Sequence, residues 1–153
     1  MTIAITVLVA VLTAALTAGV LLLRQVRRRA QDDLEALVGP DNIVRFERSA
    51  NCLGHSDTAV DQSRGAGALT LCRDGIHFML WIPRGRHLHI PATAIESAAA
   101  TRAYTRPGFA RASPRPMLQI DYRTRGRPAR IAWSVTDAEA WCEAIEQQRA
   151  QTE

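Results

Sequence analysis

The chain has 153 residues, enough for one small folded domain beside the long apolar segment at its N-terminus. All 19 basic residues are arginines, and 15 acidic residues reduce the net charge to a modest +4. Three widely spaced cysteines with no Cys-x-x-Cys pair exclude a secreted disulfide framework and predict reduced, partly buried thiols.

The N-terminal segment is an apolar run without a charged residue over residues 2–23, followed by Arg24 and then by Arg27, Arg28 and Arg29. At about 1.5 Å of rise per residue, a helix of this length crosses a hydrocarbon core of roughly 30 Å. We therefore predict three regions, which are a transmembrane helix at 1–23, a basic juxtamembrane segment and linker at 24–42, and a folded domain at 43–150.

The span has the features of an uncleaved anchor. A secretory signal has a basic start, a shorter apolar core and a small-residue cleavage site, whereas the first residues here carry no charged side chain and the run is too long. Because the arginines follow the span, the positive-inside rule predicts a single-pass cell-membrane protein with its N-terminus outside and its domain in the cytoplasm.

Small residues recur inside the span, with Ala10, Ala14 and Ala18 at four-residue spacing. This spacing lets helices approach closely in lipid and is consistent with a homodimer through the transmembrane helix. It is equally typical of the alanine-rich spans that a GC-rich genome encodes. After the span, residues 25–38 can continue as a helix until Gly39 and Pro40, which stop it.

From residue 43 the hydrophobic period changes from helical to alternating, which is typical of strands. Seven strands are predicted, at residues 43–53, 68–72, 76–82, 86–90, 95–104, 117–123 and 129–135. Asp74 and Gly75 form a favoured hairpin turn. Residues 105–116, rich in Pro, Gly and Arg, are predicted to be a long exposed loop.

A C-terminal helix follows the strands. Thr136 and Glu139 form a capping box, which predicts that the helix begins there. The predicted fold is mainly β with one C-terminal helix, a curled seven-stranded sheet or barrel whose open end the helix closes. Its structural core is expected to include Phe78, Leu88, Trp133, Trp141 and Ile145.

The order of these elements, and residues 136–145 with their inward Trp141, resemble the end of a pleckstrin-homology-like (PH-like) domain. Residues 67–78, followed by Trp81-Ile82-Pro83 and Ile90-Pro91, are similar to bacterial PH-like and GRAM-like sheets. The chain also resembles uncharacterised proteins of high-GC bacteria that carry an N-terminal span. The resemblance implies a PH-like sheet over roughly residues 43–149.

The third and fourth predicted strands have two distinct faces. Alternation directs Ile76, Phe78, Leu80 and Ile82 to the core. The opposite face carries an apolar and imidazole patch made of His77, Met79, Trp81, His87 and His89. Such a patch is a candidate docking surface, either for a partner protein or for the helix next to the anchor.

Arginines are concentrated between residues 102 and 130, where eight of them accompany one acid. Those on the predicted loop and hairpin tip are Arg106, Arg111, Arg115, Arg125 and Arg127. With Arg24 and residues 27–29 they either contact anionic lipid or are scattered solvating charges. Nucleic acid is a poor partner, because few aromatic residues interleave and no recognised fold motif is present.

Catalytic and cofactor signatures are absent from the sequence. It has no G-x-S-x-G elbow, Walker loop or dinucleotide fingerprint, so we predict a non-enzyme without cofactor. His87 and His89, with His77 opposite, suggest a metal site, but we expect no carboxylate or cysteine on their face and therefore predict no metal. The expected function is a non-catalytic adaptor for another membrane-associated protein, with anionic-lipid binding through the Arg-rich loops as the alternative.

Overall fold

The computed structural model describes residues 2–58 and 62–151, so Met1 of the predicted span, residues 59–61 and the last two residues lie outside the description. Two α-helices, two short 3₁₀ turns (Pro40–Asn42 and Ala92–Ala94) and seven strands follow one another. In chain order the helices and strands are α1 Thr2–Val38, β1 Ile43–His55, β2 Arg64–Cys72, β3 Gly75–Leu80, β4 His87–Pro91, β5 Ile95–Arg106, β6 Phe109–Thr124, β7 Arg127–Ser134 and α2 Ala138–Ala150.

All seven strands belong to one antiparallel sheet in the order β4-β3-β2-β1-β7-β6-β5. Strand β1 joins the two halves, because it pairs with β2 along most of its length and with β7 at its end. The register shifts between Glu47 and Ala50 and again between Cys52 and Gly54, and such bulges increase the local twist. The result is the curled sheet that the sequence predicts, with β4 and β5 as its edges.

The core lies inside the curl and α2 closes it. Phe78, Trp133, Trp141 and Ile145 are at most 1% exposed, and Leu88 packs against them half-buried. The Phe78 and Trp133 rings meet edge to face with centroids 6.1 Å apart. The inward positions recur every second residue on the strands and every three to four residues on α2. Side chains from the sheet and from the helix therefore fill one common core.

The start of α2 differs from the prediction. The N-cap is Asp137, whose carboxylate accepts a hydrogen bond from the Ala140 backbone N–H at 3.0 Å. The Thr136 hydroxyl instead donates to the Glu47 carboxylate on β1. Prediction of a capping box at Thr136 was wrong because a distant strand supplies a better acceptor, while the adjacent aspartate caps the helix.

The predicted exposed loop at 105–116 is also wrong, because these residues belong to the β5–β6 hairpin. Arg106 pairs with Phe109 across the turn, and Ala103 pairs with Ala112. The register then jumps to Thr101 and Met117, which leaves the two prolines of residues 113–116 in a bulge. Proline is tolerated at bulges because it need not donate to the ladder there.

Ile82 is a further correction. It was assigned to the core as the fourth inward residue of the third strand, but β3 ends at Leu80 and Ile82 lies in the following turn, 70% exposed. The alternation argument fails because it extends the strand beyond its last ladder pair. The exposed isoleucine is therefore a surface feature that needs its own account.

Among the described residues, one helix is long and apolar enough by length and composition to cross a membrane, and it is α1. Its 37 residues form one helix of about 55 Å. Apolar side chains are exposed all round its first part, for example Leu16 at 75%. The helix ends before Gly39, whose φ of 78° suits glycine, and Pro40 follows at the next turn.

Candidate functional site

The last third of α1 docks on the outer face of the sheet. Ala30 and Leu34, one turn apart, are buried at 2% and 0% exposure against Ala68 of β2 and Met79 of β3. The guanidinium carbon of Arg27 lies 4.6 Å from the centre of the Trp81 ring. Positions i and i+4 share a helix face, so a small and a large apolar side chain form a stripe that fits the sheet.

Polar contacts fix the rotation of the docked helix. Gln31 Nε2 donates to the Arg48 carbonyl of β1 at 3.3 Å. Asp33 accepts from Arg84, in the turn after β3, at 3.1 and 3.2 Å. The ion pair is exposed and contributes at most about 1 kcal/mol, so the apolar contacts dominate the docking and the polar ones set its angle.

Docking divides the predicted partner patch. Met79 is 7% exposed and Trp81 is half-buried, both under α1, so the last third of that helix covers this part. His87 and His89 on the edge strand β4 remain exposed, and His77 between them and the helix is 6% exposed. Only the histidine end of the patch is open to another molecule.

The three histidines form one stacked cluster. His77 on β3 stands directly opposite His89 on β4, and their rings are 14° from parallel with centroids 4.2 Å apart. The His87 ring is nearly parallel to both and lies beside them, with its centroid 5.2 Å from that of His77 and 6.5 Å from that of His89. His77 Nδ1 lies 3.0 Å from His87 Nε2, which is hydrogen-bonding distance.

A carboxylate and a thiol complete this cluster, contrary to the sequence-based expectation that neither is near. Asp74, in the β2–β3 turn, accepts from His77 Nε2 at 3.1 Å and lies 3.7 Å from His89 Nε2. Cys72 is buried at the end of β2, and its sulfur lies within 4.8 Å of the ligand atoms of Asp74 and His77. The hairpin turn brings both residues to the histidine face.

The surroundings of His77 and His87 favour the neutral form of both imidazoles. Burial lowers the pKa of His77 below its ordinary value, and the hydrogen bond to Asp74 opposes this shift without reversing it. Burial and the two neighbouring imidazoles also lower the pKa of His87. Burial is the largest single influence on Asp74 and raises its pKa, but the hydrogen bond and electrostatic attraction of His77, a backbone hydrogen bond and the attraction of His89 together lower that pKa. Neutral imidazoles carry lone pairs and are metal donors.

In the Arg-rich half of the sheet, Tyr104 and Arg106 form hydrogen bonds with backbone carbonyls of other strands. The Tyr104 hydroxyl donates to the Gly54 carbonyl at 2.6 Å and lies 3.2 Å from the Arg130 carbonyl. Arg106 donates to the Leu53 carbonyl at 2.8 Å, and its guanidinium covers the Phe109 ring at 4.5 Å. Arg106 therefore serves as a hydrogen-bond donor to β1 and packs on an aromatic ring.

The other predicted lipid-contacting arginines lie at two separate turns. Arg111 and Arg115, near the β5–β6 turn, line an open polar cleft of about 370 Å³ together with Ser49, Ser134 and Thr136. A second group, at the opposite end of β6, consists of Arg125 and Arg127, both exposed. Nearby acids pair with two further arginines, Arg123 with Glu96 and Arg130 with Asp121.

No protein-family model and no curated protein matches this chain. The fold and the site define the class of molecule, a curled antiparallel sheet closed by one helix and docked on the end of a long apolar helix. Sequence reasoning missed Asp74 as a chemical group because the Asp-Gly pair was interpreted only as a turn. A Cys-x-Asp-x-x-His pattern around that turn is the signal by which it could have been found.

Proposed function

We propose that this chain is a single-pass membrane protein whose β domain is a PH-like, non-catalytic interaction module on the cytoplasmic face of the cell membrane. Its partner is another membrane-associated protein. The curled seven-stranded sheet closed by α2 supports the PH-like assignment that the sequence resemblance suggests. The arginines at residues 24 and 27–29 support the orientation, because basic residues favour the cytoplasmic side.

One observation carries the proposal, namely that α1 runs without a break from the apolar segment to its docking site. The Arg27–Trp81 contact lies four residues after Leu23, or about 6 Å along the helix. A domain attached in this way stands next to the bilayer in one orientation. The partners that it reaches most readily are therefore proteins in or on the same membrane.

The turn at residues 81–86 supports a position at headgroup level. It carries Trp81, which contacts Arg27 near the start of the docked segment, the 70% exposed Ile82, and Arg84, which pairs with Asp33 further along the helix. Tryptophan and arginine are typical of the membrane–water interface, where an apolar body and a polar end are both solvated well. An exposed isoleucine at this level inserts among lipid chains at little cost.

The open edge of the sheet is the surface for the partner. Strand β4 pairs with β3 on one side only, among the strands that the structure describes. His87 and His89 project from this edge. An edge strand binds an extended peptide by adding a strand to the sheet, with main-chain hydrogen bonds supplying affinity. The adaptor role is assigned to this edge.

Proximity labelling in living cells tests the proposal, with the ligase fused to the C-terminus of the full chain. We expect labelled membrane-associated proteins that a fusion of residues 1–29 alone does not label. Ala30→Glu, which places a charge in the docking contact, should reduce that set, while the matched Ala36→Glu on the exposed face of α1 should not. Identical sets from the full chain and the span alone would contradict an adaptor role.

Binding of an anionic headgroup is the second candidate, favoured by the cleft that Arg111 and Arg115 line with hydroxyl side chains. The full chain in nanodiscs of anionic lipid should then show slower amide hydrogen exchange around residues 111–116 than in neutral nanodiscs. Arg111→Ala with Arg115→Ala should remove the difference, and Arg125→Ala should leave it. Equal exchange in both lipids would exclude this candidate.

A further inference from the structure

The geometry points to a zinc site on the outer face of the sheet, formed by Cys72, Asp74, His77 and His89. It is independent of the adaptor role and would exist whatever partner the domain binds. Three donors come from the β2–β3 hairpin and the fourth from the edge strand β4. The ion would therefore join the last strand of the sheet to the turn before it.

Three of the four donor atoms are already grouped, and His89 lies outside that group but next to Asp74. The ligand atoms of Cys72, Asp74 and His77 lie within 4.8 Å of one another, with His77 Nε2 3.1 Å from the Asp74 carboxylate. His89 Nε2 is 3.7 Å from the same carboxylate. Zn–N, Zn–O and Zn–S bonds of about 2.0–2.3 Å place tetrahedral donors roughly 3.3–3.6 Å apart. Closing the site requires side-chain rotations that bring His89 into the group of the other three donors.

Strand pairing explains why these four donors share one face. Cys72 pairs with Gly75 at the turn, and His77 pairs with His89 across the next ladder. Side chains of directly opposite residues project to the same side of a sheet, about 4.5–5.5 Å apart at Cβ. The Asp74 side chain is 61% exposed and that of His89 is 37% exposed, so solvent reaches the site from the β4 side.

His87 is the positioning residue of this site. Its Nε2 lies 3.0 Å from His77 Nδ1. When His77 binds the ion through Nε2, its remaining proton lies on Nδ1 and is donated to His87. Histidine ligands are usually oriented in this way by an acceptor on the other ring nitrogen. The Cys72 thiol loses its proton to solvent when the sulfur binds.

The mixed donor set selects the class of metal. Calcium and magnesium bind oxygen donors, so a thiol and two imidazoles disfavour both. Cu²⁺ prefers a square-planar arrangement of nitrogen and oxygen donors, whereas a thiolate with two imidazoles is a donor set typical of zinc. Four protein donors leave no open position, which is typical of structural zinc rather than catalytic zinc.

The test uses the untagged full chain in detergent micelles, reduced and stripped of metal with a chelator. Co²⁺ is titrated as the spectroscopic probe and Zn²⁺ is then added in competition. We expect thiolate-to-cobalt charge transfer and tetrahedral d–d absorption that saturate at about one equivalent and disappear with Zn²⁺. Absence of these bands in the folded wild-type chain would overturn the inference.

Variants assign the donors. Cys72→Ser should abolish the charge-transfer band, and Cys142→Ser, a matched change on α2, should retain it. His89→Ala changes an exposed side chain and should weaken cobalt binding by at least about tenfold, and His87→Ala by about 10- to 100-fold. Circular dichroism confirms the fold of each variant. A charge-transfer band in Cys72→Ser, or unchanged affinity in His89→Ala, would overturn the site as assigned.

Discussion

Arg27 of the long N-terminal helix stacks on Trp81 of the sheet, with its guanidinium carbon 4.6 Å from the ring centre. This contact lies at the N-terminal end of the docked segment, and the buried Leu34 lies two turns further along the same face. The two contacts hold the helix at both ends of its docking surface. A guanidinium over an indole ring contributes about 0.5–1 kcal/mol at exposed sites, so most of the docking free energy comes from the apolar stripe.

Leu34→Ala should release the docked helix. Leu34 is fully buried, and truncation of a buried leucine costs about 2–5 kcal/mol. We expect the backbone amides of residues 27–38 to exchange hydrogen markedly faster in the variant, measured by mass spectrometry on the full chain in nanodiscs. Leu37→Ala is the control, since Leu37 is 56% exposed. If both variants exchange alike, the docking described above is wrong.

Gly67→Ala should destabilise the β2–β3 pairing. A Cβ at Gly67 would lie 2.3 Å from the Met79 carbonyl oxygen and 2.6 Å from the Phe78 ring. A backbone oxygen cannot rotate away, so the strands must separate, at an expected cost of about 3 kcal/mol. Gly108→Ala meets no atom within 4 Å and has only the strain of its φ of 69°, about 1 kcal/mol. Urea unfolding of the two variants gives the comparison, and a milder loss for Gly67→Ala would refute it.

Tyr104 should make the fold sensitive to alkaline pH. Burial raises the pKa of Tyr104 to about 12, from an ordinary value of 10. The folded chain thus holds the phenolic proton more tightly than the unfolded chain, so this contribution to stability is complete below pH 10 and is lost as pH rises toward 12. Tyr122, whose pKa burial also raises, adds to the same trend.

Tyr104→Phe isolates this contribution. In this variant the urea unfolding midpoint should fall less steeply between pH 9 and pH 11 than in the wild-type chain. At pH 7 the variant should be less stable by about 1–3 kcal/mol, because it lacks the hydrogen bond to the Gly54 carbonyl. Phenolate absorbance, followed in parallel, reports the titration itself. An alkaline decline of unchanged steepness in the variant would contradict the assignment to Tyr104.

The cysteines should differ in reactivity. Burial raises the pKa of Cys52 to about 12, which leaves almost no thiolate at pH 8. Cys142 is half-buried on α2, and burial also raises its pKa, though it remains the most accessible of the three. Alkylation of the native chain followed by peptide mass spectrometry should therefore modify Cys142 first and the other two only after unfolding. Early modification of Cys52 would contradict this order and show that the core beside β1 opens readily.

Local signals in the sequence are enough to predict the fold. Period-two alternation through Phe78, the Asp74-Gly75 turn and the helical stripe of Trp141 and Ile145 each depend on neighbours within a few residues. These signals predict the curled sheet with a closing helix and the apolar N-terminal helix, and the structure shows both. The charge-free run before Leu23 is likewise a local property that composition alone reveals.

The parts that sequence reasoning missed depend on contacts between distant residues. Thr136 hydrogen-bonds Glu47, which lies 89 positions away, and Arg84 pairs with Asp33 across 51 positions. The bulge that accommodates the prolines of residues 113–116 exists because the β5–β6 hairpin pairs on both sides of it. The Asp74–His77 contact is local, but the approach of His89 to Asp74 depends on the pairing of β3 with β4. No local pattern encodes such proximities.

Because α1 is one continuous helix, the direction in which its docked part faces fixes the direction in which each residue of its apolar part faces. At about 100° per residue, Ala14 lies roughly 160° around the axis from Ala30 and roughly 200° from Leu34. The small-residue edge of the apolar first part of α1 and the sheet docked on its last part therefore lie on nearly opposite sides of the helix axis. A second helix packing along that edge would contact only small side chains. The two sheets would then lie on opposite outer sides of the helix pair, with no steric conflict between them.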